Sequence, residues 1–307
     1  MQIVTLEDYA NSFGTTVDTF SKECLKLIEK RPLPYQIIEG KEKEALILEI
    51  LKRLVRDSQK IGTKERTDIW EHGWKENLEA FKVSRDEKDL IPKFIRPKQP
   101  IRFQGNYILP GIDNFELDYF EVFRLWLFQK YFSDYSSIYD FGCGSSFNLV
   151  KLAQLYPTKD LIGLDFVPSS VELARELGST LRIPITAHQF DITTPNYKVE
   201  LDSGSIVFTA GVIEQVASIY EPFLQYLLFY NPGLCVHIEP TIELYDENNL
   251  TDYLAIMFHK KRGYTEGFLP RLQELQAQGR IKIEKIKRLH FGSLMMEGFN
   301  LIVWRPL

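Results

Sequence analysis

Cysteine is scarce: the 307 residues hold three, Cys24, Cys143 and Cys235, with no Cys-x-x-Cys pair. Such an odd, scattered set indicates neither a disulfide framework nor a zinc site, and it suits a reducing compartment, so a cytoplasmic location without a bound metal is expected. Long hydrophobic runs are missing too. No uninterrupted apolar stretch approaches the ~18 residues of a membrane span, and the opening MQIVTLEDYANSFG lacks the basic flank and apolar block of a secretory signal. An excess of positive charge is also absent. With 42 acidic and 37 basic residues the net charge is −5, which argues against nucleic acid as a partner while allowing a local basic pocket. Internal repeats and low-complexity tracts are not found.

What is present is an ordinary globular composition, 44% hydrophobic and 26% charged, at a length that suits one large domain or two smaller ones. Residues 1–88 read as a helical region. In EKEALILEILKRLVRD, Leu46, Ile50, Leu51 and Leu54 share one helical stripe, and Trp70, Trp74, Leu78 and Phe81 form another. Both stripes read as packing faces. Residues 89–114 carry prolines at 92, 97, 100 and 110, which break regular helix and predict a linker that doubles as a lid. In it Gln104, Asn106 and Tyr107 are candidate cofactor contacts. Residues 115–307 change character. An aromatic helix, FELDYFEVFRLWLFQKYF, precedes SSIYDFG, LIGLDF, ITAHQFD, SIVFTAG, LCVHIEP, IKIEKIKRLHF and FNLIVWRP. Short apolar strands separated by helical segments predict βαβ units and a parallel sheet covered on both faces. The last two strands, joined by GSLMMEG without a helix, should pair antiparallel.

The segment IYDFGCGSSFNLVKL places Asp140 at the end of a strand, then Gly142 and Gly144, then a helix. This is the layout of a nucleotide-binding turn, but the third small residue of a dinucleotide fingerprint is replaced by Phe147. Asp140 would also repel a pyrophosphate, whereas it would welcome an ammonium group. Asp165 closes the next strand, where a carboxylate can accept from both ribose hydroxyls, and Asp191 closes the third, within reach of an adenine amine. An adenosine with an ammonium group and no phosphates fits this set, and NAD does not.

DFGCGSSFN, GLDF, FDIT and FTAGVIEQV, in that order, resemble the motifs of class I S-adenosylmethionine (SAM)-dependent methyltransferases. The resemblance runs from about Phe115 to the C-terminus. It implies an α/β fold with a seven-stranded Rossmann-like sheet of order 3-2-1-4-5-7-6, the last strand antiparallel, preceded here by an all-helical N-terminal region. It implies SAM as cofactor and S-adenosylhomocysteine (SAH) as product. By that resemblance Gly142, Cys143 and Gly144 line the methionine arm, and Asp140 lies near its ammonium. Asp165 and Phe166 take the ribose and its surroundings, Asp191 and Ile192 the adenine, and Thr209 and Ala210 the methionine side. Many relatives carry Glu-His where this chain has Glu214-Gln215, so a histidine base is missing at that point.

Methyl transfer from a sulfonium is an in-line displacement that needs alignment more than chemical help, although a hydroxyl acceptor gains from a base. Candidate catalytic residues are Glu239 at the end of the fifth strand, His259 and Tyr264 in the long segment between strands five and six, and His290 after the sixth. His237 reads as a core histidine. The favoured activity is methylation of a hydroxyl on a small molecule or sugar. Alternatives are N-methylation of a peptide or protein amide, or SAM binding without catalysis.

Overall fold

The computed structural model describes residues 1–307 apart from Thr63, Phe94, Ser203 and the side chains of Lys64, Glu65 and Arg66. The N-terminal region contains β1 (Gln2–Ile3), α1 (Leu6–Phe13), α2 (Lys22–Lys30), β2 (Pro34–Ile37), α3 (Gly40–Arg56) and α4 (Lys64–Ser84). Helices α1 and α2 start where side chains supply caps. Thr5 and Asp8 form a reciprocal capping box at α1, and Ser21 accepts from the Cys24 amide at α2. On α3 the buried Leu46, Ile50 and Leu54 are the stripe read from the sequence, while Leu51 lies at its exposed margin.

The proline-rich stretch folds differently from a plain linker. It ends in a hairpin, β3 (Ile101–Phe103) and β4 (Asn106–Pro110), whose turn places Gln104 and Gly105 at positive φ. Beyond it come α5 (Phe115–Tyr131), β5 (Ser137–Phe141), α6 (Phe147–Leu155), β6 (Asp160–Asp165), α7 (Pro168–Leu181) and β7 (Ile185–Gln189). Then follow β8 (Ile206–Ala210), α8 (Glu221–Tyr230), β9 (Leu234–Glu239), α9 (Leu250–Arg262), α10 (Phe268–Ala277), β10 (Ile281–Lys287), β11 (Phe291–Gly292) and β12 (Asn300–Pro306).

Strands β5 and β9 are buried at every position, as the central strands of a sheet covered on both faces must be. Among the described residues the main sheet has the order β7-β6-β5-β8-β9-β12-β10. The strands β7, β6, β5, β8 and β9 are parallel, and β12 runs antiparallel to both β9 and β10. This is the expected order and direction. Because the parallel strands all end along one edge, β5, β6 and β8 bring Asp140, Asp165 and Thr209 to the same place.

A second sheet, β1-β2-β4-β3-β11, was not foreseen in a region read as all-helical. Its strands run from two to five residues, too short for a period-two pattern to declare itself. Phe291 of β11 pairs with Phe103 of β3, so the connection between the last two long strands completes an N-terminal sheet. One hydrophobic core joins both regions. Tyr9, Phe13, Phe103, Phe115, Tyr119, Phe123, Phe291 and Phe299 all belong to it, and Tyr119 stacks on Phe291 at 3.9 Å between ring centroids.

Strand β12, between β9 and β10, is tied to the ends of β8 and β9 by a buried chain of polar groups. Trp304 Nε1 can only donate, so its 2.9 Å bond makes His237 Nε2 the acceptor and puts the ring proton on Nδ1. Nδ1 then donates to Thr209 Oγ1 (2.8 Å), whose own proton goes to Glu239 Oε1 (2.7 Å). Burial holds His237 neutral and lowers its pKa to about 3. A pKa depressed on folding contributes stability that is present above the unfolded value of 6.5 and lost as pH falls towards 3. Acidification through this window is expected to lower wild-type stability through His237 by at most about 1.4 kcal/mol per pH unit. Urea titrations at several pH values should show a shallower loss in His237→Gln. The difference between the two proteins isolates the histidine from Glu239, whose raised pKa acts with the opposite sign.

Candidate cofactor and acceptor site

After β5 the chain turns sharply. Gly142 and Gly144 have φ of 68° and 53°, where glycine is at ease. Two elements close in on them. An ideal Cβ on Gly142 would lie 2.3 Å from Cγ2 of Val212, in the loop after β8, and one on Gly144 would lie 2.9 Å from Cζ2 of Trp74 on α4. The first glycine is therefore required by packing between two loops as well as by any ligand. From the sequence Gly142 serves the tight turn and the methionine arm; the contact with Val212 is an additional demand.

Asp165, 4% exposed, spends its carboxylate on the turn. Oδ2 accepts from the Gly144 amide and from Ser170 Oγ, both at 2.9 Å, and Oδ1 accepts from the Val167 amide at 2.9 Å. Burial raises its pKa against these lowering hydrogen bonds. Oδ1 carries one bond and so keeps acceptor capacity beyond the turn. Asp140 lies within the sheet and is 1% exposed, and its Oδ2 has no hydrogen-bond partner among the described residues. Burial, and after it the charge of Asp165, push the Asp140 carboxyl well above the usual carboxylate range. Cys143 is buried at 3.6 Å from Ser170 Oγ with its thiol pKa raised, a packing role and not that of a nucleophile.

Phe166 follows Asp165 with 43% of its surface exposed, an apolar face at the edge of the sheet. Asp191 is exposed and uses Oδ1 to accept from the amide and hydroxyl of Thr193, an Asx turn that orients the loop after β7 beside the buried Ile192. Thr209 is fully buried, its hydroxyl committed to His237 and Glu239, and Ala210 beside it is half-buried. Gln104, Asn106 and Tyr107 bond to Asp8, to the Gln104 carbonyl and to Arg102. Each of these contacts belongs to the hairpin and its surroundings, and none is with the glycine turn.

The catalytic candidates do not converge on one point. Glu239 is 2% exposed, and its carboxylate accepts from Thr209 Oγ1, the Val212 amide (3.0 and 3.2 Å) and the Glu214 amide (3.4 Å). It thereby fixes the loop that carries Val212. Burial outweighs these bonds and raises its pKa to about 7. His290 sits at φ 53° with its side chain 43% exposed, 3.9 Å from Glu297, at the start of β11. Glu297 itself is held by Arg288, which also grips Asp252. His259 and Tyr264 come together, ring centroids 5.3 Å apart, with Tyr245 at 6.0 Å from His259. Thr265 donates to the Ala217 carbonyl (2.7 Å) and its amide to that of Glu214 (3.1 Å), which fastens this aromatic group to the loop after β8.

Residues 133–243 match the family described as a methyltransferase domain. No curated relative matches the sequence. Among solved structures, human N-acetylserotonin methyltransferase in complex with SAM is similar at 14% identity, over 96% of this chain and 73% of that one, with a TM-score of 0.43. PigF with SAH is similar at 14% identity over 85% and 70%, TM-score 0.48. The plantazolicin methyltransferase BpumL, in complex with a monoazolic desmethylPZN analogue and SAH, is similar at 13% identity over 79% and 98%, TM-score 0.44. Residues 133–243 thus match a methyltransferase domain, and they lie on a sheet of the order expected from the sequence. The residues present fit SAM: the buried Asp140 carries an oxygen, Oδ2, without a hydrogen-bond partner among the described residues, and it precedes a turn with two glycines, as an ammonium-bearing ligand would require.

Three contacts did not figure in the sequence reading: Val212 and Ser170 meet the glycine turn, and Glu71 meets Ser169 in the first turn of α7. A serine pair directly after Pro168 was a legible signal for the start of a helix; the other two contacts come from distant segments. Gly142→Ala is expected to destabilise the fold by about 2–4 kcal/mol, combining a left-handed backbone cost with overpacking against Val212. Denaturant unfolding should show part of this recovered when Val212→Ala is added, which relieves the clash but not the backbone strain.

Proposed function

We propose that this protein transfers the methyl group of SAM to a hydroxyl of a small molecule or sugar, with the acceptor lying between the loop after β8 and the His259–Tyr264 group. The observation that carries the cofactor half is Asp140, whose unpartnered Oδ2 supplies the counter-charge for the ammonium. Asp165 Oδ1 faces the ribose, with Phe166 and Ile192 offering apolar surface to the adenine. The cofactor brings a methyl group on a positively charged sulfur, an electrophile that needs only a well-aimed oxygen. The methyl carbon bonds to that oxygen as its bond to sulfur breaks, and the hydroxyl proton passes to solvent or to a neighbouring acceptor.

His259 supports the acceptor half. It is 0% exposed, and neither ring nitrogen has a hydrogen-bond partner among the described residues. Burial, and secondarily the Arg102 charge, lower its pKa to about 3. A neutral imidazole offers one donor and one acceptor, suited to orienting a hydroxyl and poorly suited to keeping its proton. Tyr264 and Tyr245 give the aromatic walls. Glu239 positions the loop and His290 contacts the acceptor from outside.

Asp140→Asn is expected to weaken SAH binding by 1.5–3 kcal/mol, about 10- to 100-fold, as for a lost bond to a charged group. Calorimetry that finds no SAH binding by the wild type, or equal binding by the variant, overturns the cofactor assignment. His259→Leu is expected to raise unfolding free energy by about 1–2 kcal/mol, since it removes an unpartnered buried polar group. It should also raise KM for the acceptor and leave SAH affinity unchanged. The acceptor is identified beforehand by mass spectrometry of candidate glycans, metabolites and peptides incubated with labelled SAM. A methylated peptide amide in that screen would replace the hydroxyl reading.

A further inference from the structure

Helix α4 lies outside the segment that matches the methyltransferase domain. Its apolar stripe serves two purposes along its length. Leu78 and Phe81 are buried in the core, while Trp70 and Trp74 remain half-buried and stack on each other at 5.6 Å with 17° between planes. Trp74 lies on Gly144: its Cζ2, Cη2 and Cε2 come within 2.9–3.3 Å of the place a Cβ would take. One turn away, Glu71 Oε2 accepts from the Ser169 hydroxyl (3.0 Å) and amide (3.3 Å), and the Glu71 carbonyl accepts from the same hydroxyl (3.2 Å). Ser169 stands in the first turn of α7, two residues after the amide that Asp165 holds. Ion pairs Lys82–Glu172 (2.6 Å) and Arg85–Glu176 (2.5 Å) continue the contact along α7.

We infer that α4 is part of the cofactor site, a cover whose Trp74 rests on the glycine turn and whose Glu71 latches it to α7, and that it lifts for SAM and SAH to enter and leave. The inference rests on the cofactor reading above. A residue whose only task was packing would be buried like Leu78. Trp74 instead covers the one face of the turn that lacks a side chain, and an indole at contact distance there leaves no passage for a ligand's methionine arm. The latch at Glu71 is made of hydrogen bonds at a half-buried site, each of modest worth, whereas the ion pairs of Lys82 and Arg85 lie at the other end of the helix, beyond Phe81. The apolar anchor at Leu78 and Phe81 holds strongly. The helix therefore opens at its tryptophan end.

The test uses the full-length chain carrying Glu71→Cys and Ser169→Cys. The three native cysteines are buried, so oxidation joins the new pair. Exchange of bound SAH is followed with labelled SAH in the oxidised and reduced forms of this same protein. Cross-linking is expected to slow exchange at least ~10-fold, with recovery on reduction, as for a lid that gates release. In an otherwise wild-type chain, Trp74→Ala is expected to speed SAH dissociation and Trp74→Phe to do so less. Equal exchange rates in the oxidised and reduced forms overturn the inference. Where the disulfide does not form, an unchanged dissociation rate in Trp74→Ala does so. If the wild type binds no SAH at all, the cofactor reading fails and this inference with it; binding with unhindered exchange overturns this inference alone.

Discussion

A single carboxylate organises the ligand edge of this protein. Asp165 reaches from the end of β6 to the Gly144 amide, the Val167 amide and the Ser170 hydroxyl, so one side chain sets the shape of the glycine turn and the direction in which α7 begins. A buried ion is tolerated only when its lone pairs are used, and here they are used by the groups a cofactor site must fix. Much else follows from that placement. The turn so held leaves Oδ2 of Asp140 without a hydrogen-bond partner among the described residues, presents Gly144 to Trp74, and brings Gly142 against Val212.

The opposite flank is fixed by hydrogen bonds that run across strands. From Trp304 through His237 and Thr209 to Glu239, each donor has one acceptor, and the chain ends on the amides of Val212 and Glu214. Such a chain polarises along its length and rewards completeness. It also explains why a carboxylate at the end of a central strand need not be catalytic. Glu239 is occupied in holding the loop that presses on Gly142, so both sides of the turn are set by acidic residues acting on backbone amides.

The parallel sheet was legible because its strands are apolar runs punctuated by Asp140, Asp165, Asp191 and the glycines, a local code. Helices α3 and α4 were legible from their stripes, and α5 as an aromatic-rich run. The second sheet was not, since strands of two to five residues take their identity from partners elsewhere in the chain. Asp140 and Asp165 stand out as candidates from their positions at strand ends, but how the carboxylate of Asp165 is engaged depends on Ser170 and on the loop amides, which no local pattern declares. Trp74 shows the limit most clearly. Helical spacing placed it on an apolar stripe, and the stripe is real, yet the same spacing cannot say that its upper end meets a glycine seventy residues later.

The pairing of β11 with β3 has a bearing on how the chain is made. A ribosome releases the N-terminal region long before Phe291 exists, so the edge of β3 and the ring face of Tyr119 wait without their final partner until that distant segment is made. Unpaired strand edges and bare aromatic surface are the features that recruit wrong neighbours. Nascent chains of this protein therefore carry a hazard of misassembly for as long as β11 is missing, and the β3–β11 pairing, made across a long separation in sequence, is of the kind that forms slowly.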